Sequence, residues 1–574
     1  MTTTIDPGPP KLTAARPGRR DRPPMAKSLP YLPSVVLLPL IVLPLVFLLF
    51  GSLRSAPPGQ AGSWTLENFR LAFSGDFPRL LFNSFQIGAG SAVVAFVIGT
   101  VLALATTRYR VPGARILDPL IVMPAYVPAF LGAIAWTFLL SPDIGALNTL
   151  LRAIGLPAFN VYSMKGIILV SGLYGAPVAY LYIRPALLAF DAALEESARV
   201  FGATSWRALA RVVLPVIKPA LLSAFVILFI TGFGEFAVPG ILGTNAGISV
   251  ISTQVLVLTT VSIPSQPGAA AVLGLFLGVV SAALVILSNR LTRGRTYVTV
   301  SGRMSSAPSR GRGPARWLLF GFSLLYVLVG LVLPLLVLVI GSLQPYLSPT
   351  LQSGWTLSNY RDVADYPGAA GAITNSILLS ILSALACCVI AVALGWIIVR
   401  KGGWAGRAVD SIASMPIAMP HIVFGLSLVW IWVGLALPIY GTRWIILLAY
   451  IGMFLPFVVR ASVAAFQQID ISLEEAARVN GAGGARTVRK IVVPLLVPAM
   501  AAAATIVMYH AMREVSASLL LYSPGNQVMP VAIWDLFGNG IFGELFALAV
   551  INVAVIFLIV GAGNLVTRKY IRST

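Results

Sequence analysis

Charge is scarce in this 574-residue chain: 10% of it is Asp, Glu, Lys or Arg, while 58% is hydrophobic. That balance excludes a water-soluble globular domain, in which roughly a quarter of residues are charged. Cysteine is nearly absent. Cys387 and Cys388 are adjacent within an apolar run, so neither a disulfide framework nor a Cys-based metal site is on offer. Histidine occurs twice, at His421 and His510, with no partner pattern around either. A Gly-x-x-x-x-Gly-Lys-Ser/Thr loop is missing. The glycine-rich run Gly481-Ala482-Gly483-Gly484 lacks the lysine and opens no soluble strand–helix unit, so it offers no cradle for ATP phosphates. No nucleophile–base pair or metal cluster stands out either, which disfavours a membrane enzyme.

What the chain has in abundance is long apolar runs. Twelve are long enough, at about 20 residues, to cross a bilayer. They lie near 31–53, 83–107, 116–140, 166–187, 219–243, 269–289, 317–343, 375–399, 409–437, 444–464, 498–522 and 546–567. The net charge of +21 raises nucleic acid as a partner, but its distribution argues against that. With the N-terminus inside, inner segments and tails hold 32 Lys and Arg, and outer loops hold 7. This is the positive-inside pattern. It predicts a multi-pass membrane protein, contacting lipid, with both termini cytoplasmic. Residues 1–29, rich in Pro and Arg, read as a disordered basic tail. Arg19-Arg20 is followed by Pro23-Pro24 and a span-length run with no clear cleavage site, so the first helix is expected to be uncleaved.

The rest is an internal repeat. Trp64-Thr65-Leu66-Glu67-Asn68-Phe69 matches Trp355-Thr356-Leu357-Ser358-Asn359-Tyr360. Asn83-Ser84 matches Asn375-Ser376, Met123-Pro124 with Pro128 matches Met415-Pro416 with Pro420, and Pro177 matches Pro456. The offset is 292 at the Met-Pro pair and 279 beyond it, so the first half carries about thirteen extra residues in its third helix or the loop after it. Six spans per half give both halves the same orientation. The expected fold is thus all-α and membrane-integral, with about 12 transmembrane helices in two parallel six-helix repeats. The repeats cover 30–290 and 317–574, joined by an Arg-rich cytoplasmic linker, 291–316.

A polar motif recurs between spans 4 and 5 of each half. One copy runs Glu195-Glu196-Ser197-Ala198, Gly202, Val212, Leu214 and Pro215; the other runs Glu474-Glu475-Ala476-Ala477, Gly481, Ile491, Val493 and Pro494. Asp191 or Ser472 is placed to cap a short helix whose first-turn acids suit its dipole. Each Gly breaks that helix, and a second amphipathic stretch runs on to the Pro. An interfacial helix lying on lipid explains the amphipathicity, but not the recurrence of the spacing. The pattern Glu-Ala-Ala, three residues, Gly, nine residues, Ile-x-Leu-Pro resembles the coupling motif of binding-protein-dependent ABC importer permeases. The copies depart from it at Ser197, Val212 and Val493. Two fused halves, Tyr297-Val298-Thr299-Val300-Ser301-Gly302-Arg303, and Arg513-Glu514 followed by Leu519-Leu520-Leu521, Pro524 and Ile533-Trp534 are similar to the iron(III)-type fused permeases. Fused permeases for thiamine, aminoethylphosphonate, polyamines and related solutes look much alike.

The resemblance implies a non-catalytic translocation subunit of the bacterial inner membrane. ATP and Mg would bind a separate ATPase, two copies of which would dock on the two loops, and an extracytoplasmic solute-binding protein would deliver a small solute. The chain itself would hold no cofactor and no resident metal. Within the membrane, Glu235 and Glu514 each lie sixteen residues after a proline, Pro219 and Pro498, or roughly 24 Å along a helix. They are expected in the outer part of helices 5 and 11, facing each other on the solute pathway, and a carboxylate pair would suit iron(III). The bland alternative is a structural ion pair, with Arg513 as local partner to Glu514; Arg513 would otherwise greet an anion. His421 reads as helix packing, and Asp118 and Asp410 as interfacial. An ion-coupled secondary transporter is the rival reading, since many are built from two six-span repeats; the docking motif argues against it.

Overall fold

The computed structural model describes residues 29–109, 111–143, 145–292, 313–345, 354–435 and 438–573. Residues 1–28 of the expected tail, most of the linker and the Tyr297–Arg303 stretch lie outside the described residues. Among those described no strand forms, only an isolated bridge between Arg54 and Trp64.

The first half runs α1 (Pro33–Ser52), α2 (Phe77–Thr107), α3 (Ala114–Ala125), α4 (Ala129–Leu140), α5 (Met164–Ala189), α6 (Ala192–Val200), α7 (Ser205–Phe233), α8 (Pro239–Ala246), α9 (Ile251–Val261) and α10 (Pro267–Ser288). The second runs α11 (Pro314–Ser342), α12 (Ala369–Lys401), α13 (Gly403–Ala418), α14 (His421–Gly434), α15 (Arg443–Gln468), α16 (Ile471–Val479), α17 (Val488–Arg513), α18 (Met529–Gly538) and α19 (Phe542–Lys569). Ten of these helices are apolar and long enough to span.

Three expectations need correction. The third and ninth spans are not continuous rods: α3 and α4 meet at 93°, and α13 and α14 at 111°. The cause is the repeated proline. Pro128 and Pro420 sit at ψ 130° and 137°, extended rather than helical, and a proline ring disfavours a helical residue before it. Spans 5 and 11 also begin and end earlier than the apolar runs indicated, over Ser205–Phe233 and Val488–Arg513. Pro215 and Pro494 therefore lie inside a helix rather than ahead of one. Each follows a π-helical turn, Leu209–Val213 or Val488–Val492, because a proline has no N–H to close the ordinary ladder.

After spans 5 and 11 the chain makes an excursion instead of crossing. Phe233, at the end of α7, lies against Gly88 of α2. The Ile251 N–H, at the start of α9, donates to Ser84 Oγ at 3.0 Å. The excursion therefore leaves and returns at one level of α2. In the second half the Met529 N–H donates to Ser376 Oγ at 2.7 Å. The neighbouring asparagines reinforce both anchors, with Asn83 Nδ2 donating to Ser249 O (2.9 Å) and Asn375 Nδ2 to Gln527 O (3.0 Å). The repeated Asn-Ser pair is a pin for these segments. With the excursions excluded, twelve spans remain among the described residues, and α6 and α16 fall at the same end of the molecule.

Other repeated residues have similar tasks. Asn68 Nδ2 donates to the carbonyls of Ser52 and Arg54, and Asn359 Nδ2 to those of Ser342 and Gln344, satisfying groups left open at a helix C-terminus. The extra residues of the first half lie in the connection after α4, which carries a helix, Ala146–Ala153, held by the buried Asn148. The halves interlock: α1 packs on α14 and α11 on α4. Phe138 meets Phe542 and Phe546 edge-on, and Phe236 stacks on Trp534.

Candidate functional site: two coupling helices and a membrane cavity

The candidate coupling helices α6 and α16 are built alike. Asp191 Oδ1 accepts from the Ala193 N–H, and Asp470 Oδ1 from the Ser472 N–H, both at 2.9 Å. The cap of α16 is thus Asp470, at the position matching Asp191, and Ser472 is the donor rather than the cap. Hydrogen bonds from Ser472 hold the Asp470 carboxyl below its ordinary pKa. Gly202 and Gly481 end the helices at φ +85° and +77°, a left-handed conformation that glycine adopts without a Cβ clash.

The glutamate pairs divide their roles. Glu196 and Glu475 are exposed, while Glu195 and Glu474 are 8% and 4% exposed. Arg108 Nη1 donates to Glu195 Oε2 at 3.0 Å, and Arg400 Nε to Glu474 Oε1 at 2.8 Å. Arg400 also donates from Nη2 to Ile469 O. Both arginines sit at the ends of their half's second span, so each ion pair ties a coupling helix to that span. Sequence reasoning missed them. The signal was available, since 108 and 400 differ by the same 292 as the Met-Pro pair. Around the motif, Ala198 is half-buried, Ala477 is buried, and Ser197 and Ala476 are exposed. Leu214 and Ile491 are half-buried. Val200, Phe201, Trp206 and Val479 stand bare, Phe201 at 90% exposure.

The structure brings the expected pathway residues into one cavity of about 390 Å³ between the halves, lined by Glu235, Arg513 and Glu514 together with His421, His510 and Tyr174. The spacing placed both glutamates within helices; instead each sits in the non-helical break just after α7 or α17. Nor is Arg513 the partner of Glu514. Glu514 Oε2 pairs with His421 Nδ1, and Oε1 accepts from the Ala517 N–H at 2.9 Å. His421 is therefore a member of the site and not mere packing. Among the described residues no three His, Cys, Asp or Glu converge to hold a metal. Asp118 and Asp410 pair with Arg184 and Arg460 at the ends of spans 3 and 9 nearer α6 and α16.

Two parallel, interlocked six-span repeats, two matched polar helices at one end and a charged cavity between the halves define a membrane transport protein. The family described as binding-protein-dependent transport system inner membrane component matches residues 95–297 and again 388–572. The chain belongs to that family, the multi-pass permease subunits of ABC transporters. It is 28% identical to the probable ABC transporter permease protein y4fN of Sinorhizobium fredii, over 79% of this chain and 81% of that one. It is 26% identical to the ferric transport system permease protein FbpB of Actinobacillus pleuropneumoniae, over 86% and 71%. With the putative 2-aminoethylphosphonate transport system permease protein PhnV of Salmonella typhimurium it shares 27% over 40% of this chain and 85% of that one. A chain of a bacterial alginate ABC transporter, solved in complex with an alginate pentasaccharide-bound periplasmic protein, aligns at 23% identity and a TM-score of 0.40, over 47% of this chain and 94% of its own.

Proposed function

We infer that this chain forms the translocation pathway of an ATP-driven importer whose solute is iron(III). Two ATPase copies dock on α6 and α16, and both termini face them in the cytoplasm. A solute-binding protein delivers from the opposite side. The observation that carries the reading is the duplicated coupling helix: the same cap, the same buried arginine–glutamate tie, the same left-handed glycine and the same exposed second glutamate, at one end of the molecule. A surface built twice suits a partner with two-fold symmetry. ATP hydrolysis belongs to that partner, and its closure is passed to the second span of each half through Arg108 and Arg400. Such a rigid-body bias suffices for alternating access. Iron(III) is supported by the ferric relatives and by Glu235 and Glu514 on one cavity, since a hard cation prefers oxygen ligands.

The test is Gly202→Asp with Gly481→Asp in the complete transporter. Neither glycine has an atom within 4 Å of where a Cβ would stand, so the permease itself keeps its packing. The docking surface loses its turn and gains a charge. The expected outcome is insertion at normal level, no ATPase on co-purification and no iron uptake; normal uptake by the double variant would refute docking here. A second reading, an aminophosphonate importer, is favoured by Arg513 on the cavity wall and by the Salmonella relatives.

A further inference from the structure

Two parallel repeats meet along two seams that their pseudo-two-fold axis relates. At one seam the elbow after α3 meets α17 of the other half. Tyr126 stands edge-on to Tyr509 there, with ring centroids 5.3 Å apart. Tyr509, Phe457 and Phe454 each stack on His510, at 4.4, 5.2 and 5.6 Å. Rings packed at such distances leave no passage between them. At the other seam the partners are exchanged. The elbow after α13 meets α7, where Gly234 lies against the Pro420 ring.

The equivalent places at that second seam hold Ala418, Ile230, Thr231, Val178 and Gly175. Positions 126 and 418 differ by 292, while 230, 231, 178 and 175 lie 279 before Tyr509, His510, Phe457 and Phe454. Every ring of the first seam is thus replaced by a smaller side chain, and each replacement lines the cavity of about 390 Å³. The cavity is the space that the aromatic stack fills across the axis. Of the stack itself, His510 reaches the cavity wall.

We propose that solute crosses through one seam only, past Val178, Ile230, Thr231 and Ala418, and that the aromatic stack is a fixed stop in the other. This rests on the transport reading and adds the route. Matched coupling helices then drive a one-sided path, and the small residues of α5 and α7 facing His510 set what passes.

The experiment uses the whole transporter, with ATPase and binding protein, in proteoliposomes holding ATP. Radiolabelled iron(III) and radiolabelled 2-aminoethylphosphonate are supplied in separate arms. Uptake is read per inserted molecule, relative to wild type, beside ATP hydrolysis. Val178→Phe with Ile230→Tyr carries two rings of the stack to the open seam. This pair should lower uptake about tenfold or more, the scale of overpacking a fitted space, while ATP hydrolysis goes on. Phe457→Val with Tyr509→Ile makes the opposite exchange and should leave uptake close to wild type. If either pair fails to assemble, a thiol decides, in a Cys387→Ala, Cys388→Ala background. A bulky maleimide on Thr231→Cys, an exposed position, should stop uptake, and the same group on Phe457→Cys should not. Loss on the stack side with uptake kept on the cavity side would make the stack the pathway or its gate and overturn the proposal. Equal loss on both sides, or loss on neither, would overturn it as well. The contrast between seams is a ratio and does not depend on what drives uptake. The same contrast without ATP dependence would uphold the single seam and sink the importer reading instead.

Discussion

Arg108 and Arg400 each neutralise a glutamate that its coupling helix buries. Removing either arginine strands an uncompensated buried carboxylate, at a local cost of about 3–5 kcal/mol. Arg108→Gln with Arg400→Gln is therefore expected to detach α6 and α16 from α2 and α12. ATP hydrolysis by the complex would continue while uptake falls, read by assaying both in one preparation; unchanged coupling would show that the ties are ornamental. At the turns the constraint is conformational, because no atom crowds Gly202 or Gly481. A left-handed residue costs about 1–2 kcal/mol with a Cβ, and asparagine tolerates it best. Gly481→Asn should thus keep most uptake and Gly481→Val lose it, a ranking that simple steric exclusion would not produce. The motif residues were legible because they repeat. The His421–Glu514 pair was not, since its members are 93 residues apart and Arg513 stood conspicuously beside Glu514. Successive residues on a helix diverge by about 100°, and this helix ends between the two, so sequence adjacency misled.

At the scale of elements, hydropathy located every span but said nothing about backbone direction. The runs that became α3–α4 and α13–α14 are as apolar as an unbroken helix. Their breaks were marked only by the repeated Met-Pro and Pro128 or Pro420, which membrane helices also tolerate as kinks. The excursions after α7 and α17 were hidden for the same reason, and they moved Glu235 and Glu514 out of helices and onto the cavity wall. What holds those excursions is the Asn-Ser pair of the second span. Ser84→Ala with Ser376→Ala leaves two backbone N–H groups unpaired, a loss of about 1–3 kcal/mol at each. Amide exchange at the starts of α9 and α18 should accelerate selectively, with the rest of α2 and α12 unchanged. Uniform acceleration would mean that the pair supports the whole bundle instead.

For the whole molecule, the repeat made the two-fold plan readable, but not its interlocking. Each half lends its first helix to the other. Gly51 of α1 lies against the Trp430 ring of α14, with no room for a Cβ. Gly51→Leu should overpack that seam and destabilise the assembled protein by about 1–3 kcal/mol, seen as a lower unfolding midpoint in detergent. Half-buried Gly278, with no atom near its missing Cβ, is the control position. The central claim is that this chain is a passive pathway driven by an ATPase docked at two matched helices. Its most direct measurement is solute uptake into proteoliposomes with the chain alone, with the chain plus ATPase, and with both plus the binding protein, each with and without ATP and with and without an imposed proton gradient. Uptake confined to the complete set with ATP is the result expected here. Uptake by the chain alone, driven by the gradient, would contradict it and identify a self-contained secondary transporter.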